Sequence, residues 1–528
     1  MVARADIVSS PRRWTSLAGI CTAAALVWFS ASDLPVALPT IAKEFRASLT
    51  TLQWANIAFT VFTGSLVIAG GRLGDLLGRR RVLVTGTVVF ALASVVAAGA
   101  PSPAVLIIGR AVMGVGAALI LPMTLALIPP QFPRSEQPRA LGVWAAVAWG
   151  GQAAGPAFGG LLTQTIGWRW IFWVNLPIAA VTLLVVRAAT AESRDESAPP
   201  GVDLAGVATT AGAAFALLYA LTAWQTRGLG DLLVIALFAA AVVLGVLFVL
   251  VERRVANPLV DLALFRRRPF DAALTANLAM NLVFTGTSFL LPLYLQDVRG
   301  DDPVEAGLLL LPLTVTLLAL LPAGVHLERR TDARLPMLIG LAIMAVALVL
   351  LGFLVPDWNY PVVVGALLLF GIGVGLLSTP MTDAAVGQAS GVPEPLAGMA
   401  SGVFKMSSML GSAVGVALFA TSAKLFATDT AVDRARAAGL SDRQITTLRD
   451  ALVDSELAQR ILARLSPGVR ERVADAAREA FTSGVATTIK AAALVALVAA
   501  GLVMVLWPRR AGRAEGHPEP ARLPGGRP

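Results

Sequence analysis

Gly71-Arg72-Leu73-Gly74-Asp75-Leu76-Leu77-Gly78-Arg79-Arg80-Arg81-Val82-Leu83 is a short polar stretch between two apolar runs. The run before it, 52–70, and the run after it, 82–99, are each long enough to cross a hydrocarbon core of roughly 30 Å. The stretch is therefore predicted to be a tight turn between two membrane helices. Its four arginines predict a cytoplasmic position, because positively charged residues are retained on that side.

The composition agrees with a polytopic membrane protein. Of 528 residues, 56% are hydrophobic and 14% are charged, which excludes a string of soluble domains. The net charge of +9 does not indicate nucleic acid, because nearly all Lys and Arg of the short loops lie at span ends. The single cysteine, Cys21, excludes an internal disulfide and argues against a cysteine metal site. The first apolar segment is too long for a signal-peptide core and is expected to stay in the protein.

Hydropathy predicts an all-α protein with fourteen transmembrane helices. Their expected bounds are 15–38, 51–70, 82–99, 103–127, 140–163, 170–187, 204–224, 230–251, 271–296, 304–324, 335–354, 360–380, 396–420 and 487–507. An even number of spans places both termini on one side. The N-terminus and alternate connections are rich in arginine, whereas the others hold only Lys43, Arg46, Arg169, Arg227 and Arg299. Both termini are therefore predicted to be cytoplasmic, in a multi-pass protein of the cell membrane.

An internal repeat organises these spans. Spans 5 and 13 share three glycines at one offset of 260 residues, namely Gly142 and Gly402, Gly151 and Gly411, Gly155 and Gly415. The sequence Pro-Met-Thr of 122–124 recurs at 380–382 in span 12. These offsets predict that spans 1–6 are repeated as spans 9–14 in the same orientation, with spans 7 and 8 inserted. Chance matches between glycine-rich helices are the alternative.

The chain is divided accordingly. The predicted parts are a cytoplasmic N-terminus (1–14), an N-terminal six-helix bundle (15–187), a cytoplasmic linker (188–203), two inserted helices (204–251), a cytoplasmic loop (252–270), a C-terminal six-helix bundle (271–507) and a disordered cytoplasmic tail (508–528). Within the second bundle, 424–486 are predicted to form an extracellular insert. Ser441 with Gln444, and Ser466 with Pro467, predict two or three short amphipathic helices there.

Three motifs carry a family resemblance. The stretch 71–83 has the form Gly-x-Leu-x-Asp-x-x-Gly-Arg-Arg-x-x-Leu, which resembles the signature loop of the major facilitator superfamily of transporters. The segment 110–118 resembles the fourth-helix motif of that family, whose arginine is implicated in proton transfer. The segment 151–160 resembles the motif associated with antiporters. With fourteen spans, the chain is similar to the drug:proton antiporters of this superfamily, which implies a major facilitator fold of two bundles and alternating access.

The signature loop has a mechanical interpretation. Asp75 and the arginines Arg79 and Arg80 are suited to lock one bundle against the other and to release it when the bundles rock. Gly71 and Gly78 are expected to let the backbone turn and the helices approach. The alternative is that the arginines only fix the topology.

Asp33 and Arg110 are ionisable residues inside spans 1 and 4, at similar predicted depth. Such residues are costly in a membrane and usually face a cavity or a partner. The pair is therefore predicted to couple proton flow to solute binding, with a static buried salt bridge as the alternative. The resemblance implies a cavity-lining position for both spans, although the family's first-span acid falls on Ser30, one turn before Asp33.

The antiporter-like motif and the polar stripes are the remaining candidate sites. In the motif, Gly151, Gly155, Pro156, Gly159 and Gly160 allow close packing and a local weakening of the helix. Polar residues at helical spacing predict a substrate cavity, because they must face protein or water within a membrane; they are Asn56 and Thr60 in span 2 and Asn277, Asn281 and Thr285 in span 9. Helix-to-helix hydrogen bonding is as good an interpretation of each.

Lys405 stands in span 13, where exporters of cationic drugs in this family often have an acid. It is predicted either to neutralise an anionic cargo group or to pair with an acid, and snorkelling is the alternative. Trp28, Trp144, Trp149 and Phe404 are candidate aromatic lining.

The sequence thus predicts a secondary exporter of lipophilic small molecules, driven by inward proton flow. It is expected to act as a monomer in the bilayer, to use no cofactor besides the proton gradient, and to bind no nucleic acid. The chain has no Gly-x-x-x-x-Gly-Lys-Ser/Thr run for ATP, and His326 and His517 form no metal pair, so it is not expected to be an enzyme. A dedicated exporter of an endogenous metabolite, lipid or siderophore, and a non-transporting sensor, are the alternatives.

Overall fold

The structure is a computed structural model that describes residues 10–47, 49–133, 135–194, 203–255, 258, 260–301, 303–353, 359–387, 390–393, 396–437 and 467–507. It is 88% helical, and no strand occurs among the described residues. The helices are α1 (Ser10–Ser32), α2 (Leu34–Phe45), α3 (Leu49–Leu77), α4 (Arg79–Ala98), α5 (Pro103–Ala126), α6 (Gln137–Thr165), α7 (Trp170–Trp173), α8 (Asn175–Ala189), α9 (Leu204–Arg227), α10 (Leu232–Glu252), α11 (Arg268–Leu293), α12 (Pro303–Arg330), α13 (Arg334–Leu351), α14 (Tyr360–Val386), α15 (Ala397–Ala437) and α16 (Pro467–Leu506). Short 3₁₀ turns at Pro129–Gln131 and Leu262–Arg266 and a π-helical turn at Tyr294–Arg299 join some of them.

Thirteen helical segments of the described chain are long and apolar enough to cross a membrane. The fifth predicted span is the 29-residue helix α6, which is long enough but is not among the thirteen. Its glycines, tryptophans and Gln152 lower its hydropathy. Because α6 packs against α1, α12 and α14, it needs a less apolar surface than a helix that faces lipid.

The helices form two bundles with the same internal packing. In the first bundle, α5 packs against α3 and α4, and α1 packs against α6 and α8. In the second, α14 packs against α12 and α13, and α11 packs against α15 and α16. The prediction of a repeated six-helix unit is confirmed by this correspondence.

Glycine allows equivalent helix pairs to approach closely in both bundles. A Cβ added at Gly114 of α5 would lie 2.6 Å from the carbonyl oxygen of Phe59 in α3. A Cβ added at Gly375 of α14 would lie 2.6 Å from the carbonyl oxygen of Leu317 in α12. Both distances are too short for any side chain, so these crossings require a backbone without a Cβ.

The inserted pair lies where the two bundles meet. Helix α9 packs against α3 of the first bundle and α15 of the second, while α10 packs mainly against α9. The most apolar segment of α10 is only 11% buried and has a mean hydropathy of 3.2. These values suit a helix that faces lipid on most sides.

Two local predictions about the first bundle need correction. The first span, expected as one helix over 15–38, is interrupted at Asp33 between α1 and α2, because Pro35 has no N–H to donate to the preceding turn. The signature stretch is not a loop: α3 continues to Leu77, and the turn is Gly78 alone, with φ of +108°. Arg72 and Asp75 lie on the helix because no proline interrupts α3 before Gly78.

The insert predicted at 424–486 also differs from expectation in its described parts. Residues 424–437 continue α15, and 467–486 are the beginning of α16, so both are ends of long helices rather than separate short ones. The described part of α16 begins at Pro467. The predicted cap at Ser441 and Gln444, and Ser466, lie outside the described residues.

Candidate functional site

A cavity of about 60 Å³ lies between α1 and α6 of the first bundle and α11, α14 and α15 of the second. Of the predicted substrate residues, Asn277, Asn281, Thr285 and Lys405 line it. Its remaining lining residues are Trp28, Trp144, Ala145, Ala148, Trp149, Gln152, Met280, Phe284, Ser378, Met381, Thr382, Phe404, Ser408 and Ser412. Drug-sized ligands occupy pockets of roughly 300–1,000 Å³, so this cavity must widen before it admits such a molecule.

The polar stripe on α11 ties two helices together at the cavity wall. Asn277 Nδ2 donates to the carbonyl oxygen of Phe404 at 2.8 Å and to the hydroxyls of Ser407 and Ser408 at 2.7 Å each. Asn281 Nδ2 donates to Asn277 Oδ1 at 2.9 Å. The polar stripe therefore lines the cavity and also forms hydrogen bonds to α15. Both interpretations of the sequence, a cavity wall and helix-to-helix hydrogen bonding, apply here.

The predicted stripe on α3 lies elsewhere. Neither Asn56 nor Thr60 is among the lining residues of the cavity. The Thr60 hydroxyl donates to the carbonyl oxygen of Asn56 at 3.1 Å, and Asn56 Oδ1 accepts from Arg110 Nη2 at 3.2 Å. The structure thus places these two residues beside Arg110 rather than at the cavity wall.

Lys405 is buried, with 5% of its surface exposed, and its ammonium group lies among aromatic rings. Nζ is 4.4 Å from the ring centroid of Trp144, 5.4 Å from that of Trp28 and 5.8 Å from that of Phe404. Trp28 and Trp144 belong to the first bundle, and Lys405 belongs to the second. Cation–π attraction thus joins the two bundles at the cavity.

Arg110 and Asp33 are both fully buried, at 0% exposure, but they form no direct ion pair. The guanidinium donates to the carbonyl oxygen of Ser30 at 3.0 Å and to its hydroxyl at 3.3 Å, and it lies 4.2 Å from the Phe59 ring centroid. Neither carboxylate oxygen of Asp33 has a hydrogen bond of standard geometry. The positive charge of Arg110 nevertheless attracts the Asp33 carboxylate without a direct hydrogen bond between the two side chains. The static salt bridge, which was the alternative interpretation of this pair, is therefore not formed in this conformation.

The antiporter-like motif packs against the break that holds Asp33. A Cβ added at Gly159 of α6 would lie 2.5 Å from the carbonyl oxygen of Asp33, and one at Gly155 would lie 2.9 Å from that of Phe29. A Cβ at Gly151 or Gly160 would be in ordinary contact with α1 or α2, at 3.4 Å. The glycines therefore set how closely α6 approaches the interrupted first span.

Asp75 joins the two bundles at one end of the molecule. It is fully buried, and its Oδ1 accepts from Arg79 Nε at 3.0 Å and Nη2 at 2.9 Å. Its carboxylate also accepts the backbone N–H groups of Gly398 at 3.0 Å and Met399 at 2.8 Å, in the first turn of α15. A carboxylate is favoured there because the first N–H groups of a helix have no partner within the helix and carry partial positive charge. A Cβ added at Gly71 would meet the carbonyl oxygen of Gly398, so this crossing also requires glycine.

The linker after α8 contacts the turn at Gly78. Glu192 Oε1 accepts the backbone N–H of Arg80 at 2.9 Å, and Arg79 Nη1 donates to the Ser193 hydroxyl at 2.9 Å. The sequence alone gave no indication of this role for Glu192 and Ser193, because polar linker residues carry no periodic signal.

A second polar contact that the sequence did not indicate lies at the opposite end of α3. Glu44 Oε2 accepts from the Trp168 indole Nε1 at 2.7 Å, and its Oε1 accepts from Arg169 Nη1 at 2.7 Å. The Trp168 hydrogen bond, assisted by Arg169, lowers the pKa of the Glu44 carboxyl below its usual value. This contact fastens the end of α2 to the segment that leads into α7.

A cofactor or metal site is not evident in the described part of the chain. No group of three or more His, Cys, Asp or Glu residues within it is placed to hold a metal ion.

Comparisons with known proteins place this geometry in a family context. The family model described as Major Facilitator Superfamily matches residues 20–416. The chain is 30% identical over 517 residues to a tetracenomycin C resistance and export protein from Streptomyces glaucescens, covering 97% of this chain and 95% of that protein. It is 32% identical over 499 residues to the multidrug efflux pump LfrA of Mycolicibacterium smegmatis, covering 94% and 97%. Among solved structures, the human organic anion transporter MFSD10 (TETRAN) superposes with a TM-score of 0.61 at 14% identity, covering 93% of this chain and 99% of that chain.

Proposed function

Because this chain belongs to the major facilitator superfamily, we propose that it is a secondary exporter that moves lipophilic small molecules out of the cell in exchange for protons. The observation that carries the proposal is the cavity between the two bundles. It has both aromatic and polar walls and takes its lining from both halves of the repeat. A cavity of this kind changes shape when the bundles move relative to each other, as alternating access requires.

The names of the similar proteins support efflux as the direction of transport. A tetracenomycin C export protein and a multidrug efflux pump are similar to this chain over almost its whole length. The arginine distribution independently predicts that both termini lie in the cytoplasm.

Asp33 supports proton coupling. Its carboxylate is buried beside Arg110 without a direct ion pair, so its charge can change without the loss of a fixed partner. A change of the Asp33 charge would alter its attraction to Arg110, while Ser30 and Asn56 still hold the guanidinium. The backbone of Asp33 also contacts Gly159 of α6. A movement of Asp33 that follows a change of its charge would therefore be transmitted to α6, which lines the cavity.

The test is transport by the purified protein in proteoliposomes, with an imposed pH gradient and a neutral lipophilic fluorescent dye. We expect the dye to be moved against its gradient and protons to move in the opposite direction at the same time. Dye movement without proton movement would contradict antiport. Failure to move any dye of a lipophilic panel would contradict export and favour a sensor. The protein used must show a helical circular dichroism spectrum and a single gel-filtration peak.

A further inference from the structure

The cavity between the bundles holds a positive charge that no carboxylate of the described residues neutralises. Lys405 is 5% exposed, and no salt bridge or hydrogen bond to its ammonium occurs within the described residues. Among the described residues that line the cavity, none is Asp or Glu. Burial of an unpaired charge is unfavourable, and the rings of Trp144, Trp28 and Phe404 compensate for only part of the lost hydration.

Two further hydrogen-bond donors, on residues that line the same cavity, have no acceptor within the described part of the chain. The indole Nε1 atoms of Trp28 and Trp144 are buried and without a hydrogen-bond partner, and both rings line the cavity around Lys405. Buried indole N–H groups usually find an acceptor. The amide of Asn277 differs, because its donor is already engaged by Phe404, Ser407 and Ser408.

The wall next to these donors is aromatic. The rings of Trp149 in α6 and Phe284 in α11 meet edge to face, with centroids 4.9 Å apart, and Phe284 stacks on Phe370 at 6.2 Å. Trp149 and Phe284 line the cavity together with Lys405. The site thus combines a cation and two indole donors with an aromatic wall at which the two bundles meet.

We propose that the cargo of this cavity is an aromatic molecule with an ionised acidic group. The carboxylate or phenolate accepts from the Lys405 ammonium and the two indole N–H groups, and the aromatic body packs between Trp149 and Phe284 after the bundles separate. This inference rests on the proposed export function and narrows its substrate class. A cationic cargo is disfavoured, because Lys405 already occupies the position among the aromatic rings where a cation would bind. The two positive charges would also repel each other.

The experiment uses the full chain in proteoliposomes and three fluorescent probes with one aromatic scaffold, as a carboxylate, its neutral methyl ester and an ammonium derivative. We expect export of the carboxylate to exceed that of the ammonium derivative about ten-fold or more. Lys405→Met should lower carboxylate export about ten-fold and change ester export less than about two-fold. Lys405→Arg should retain most of the carboxylate export.

Trp144→Phe provides a second test, because it keeps an aromatic ring near Lys405 but removes the N–H donor together with part of the indole. It should lower carboxylate export by about three-fold to ten-fold and leave ester export unchanged. The matched control is Lys490→Met. Lys490 also lies over an aromatic ring, 5.0 Å from the centroid of Phe353, but it is exposed on α16 and is not among the lining residues.

The outcomes separate this inference from the proposed function. Export of the ester and the ammonium probe without the carboxylate, or equal loss of all probes in Lys405→Met, would overturn the inference while export stands. Carboxylate export unaffected by both Lys405→Met and Trp144→Phe would also overturn it. Failure of the wild-type protein to move any of the three probes would overturn the export function and this inference together.

Discussion

Asp75 accepts the backbone N–H of Met399 at 2.8 Å and so bridges the last turn of α3 to the first turn of α15. The residues are 324 positions apart, and they belong to different bundles. At the same end of the second bundle, Arg329 Nη2 donates to the carbonyl oxygen of Ser135, just before α6. The two bundles are thus joined on this side by polar contacts to the beginnings of α15 and α6, and the Asp75 contact is the buried one.

Asp75→Asn should favour separation of the bundles at this end. Asparagine keeps one acceptor but loses the charge that pairs with Arg79 and with the start of α15, which weakens the contact by about 1–3 kcal/mol. We expect a cysteine introduced at Thr382, in a Cys21→Ala background, to react with a maleimide about ten-fold faster in the variant. Asp332→Asn is the control, because the Asp332 carboxylate accepts the backbone N–H of Leu335 at the start of α13, within one bundle. Unchanged reactivity would show that the Asp75 contact does not hold the bundles together.

Gly159→Ala should impair transport more than an alanine elsewhere on α6. The new Cβ would lie 2.5 Å from the carbonyl oxygen of Asp33, so α6 must shift away from the break between α1 and α2 at a cost of about 1–3 kcal/mol. Gly150→Ala is the matched control, because nothing lies within 4 Å of its added Cβ. We expect the thermal midpoint of detergent-solubilised protein and the export rate to fall in Gly159→Ala only. Equal behaviour of the two variants would contradict close packing at Gly159.

Sequence patterns predicted the repeat and the fold, because both depend on residue types and spacings that can be compared directly along the chain. The signature at 71–83, the glycine offsets and the arginine distribution needed no knowledge of distant neighbours. The partners of the site residues were harder to predict. Asp75 bonds to the backbone of α15, and a backbone N–H has no sequence signal of its own.

The expected pairing of Asp33 with Arg110 illustrates the limit of a depth argument. Both residues are buried at similar levels, but the direct partners of Arg110 are Ser30 and Asn56. Ser30 lies one turn before Asp33, and Ser30 rather than Asp33 accepts from the guanidinium. The phase of Asp33 could not be predicted, because Pro35 breaks the helix at Asp33, between α1 and α2. The aromatic surroundings of Lys405 likewise come from two bundles and follow only from their packing.

Acidification should weaken the contact between Glu44 and Trp168 only at low pH. The folded-state pKa of Glu44 lies below the ordinary carboxyl value of 4.5, so its contribution to stability is fully present above that value and is lost as the pH falls through the lower folded-state pKa. Because Glu44 is largely exposed, Glu44→Gln should lower the thermal midpoint at pH 7 by only roughly 1 °C. The difference from wild type should be constant between pH 7 and 5.5 and should vanish only at a pH well below 4.5. A difference that changes between pH 7 and 5.5 would contradict the lowered pKa.

Asp33→Asn should separate coupled from uncoupled transport. Asparagine has nearly the same shape, so α1, α2 and Gly159 of α6 can keep their packing, but position 33 can no longer exchange a proton. We expect export against a gradient, driven by an imposed pH difference, to fall at least about ten-fold, whereas exchange of labelled for unlabelled dye across the membrane continues at a comparable rate. Asp271→Asn is the control, since Asp271 lies in the first turn of α11 and is not among the cavity residues. Full uphill export by Asp33→Asn would remove Asp33 from the coupling mechanism. Loss of exchange as well as uphill export, in protein with an unchanged thermal midpoint, would assign Asp33 to bundle movement rather than to proton transfer.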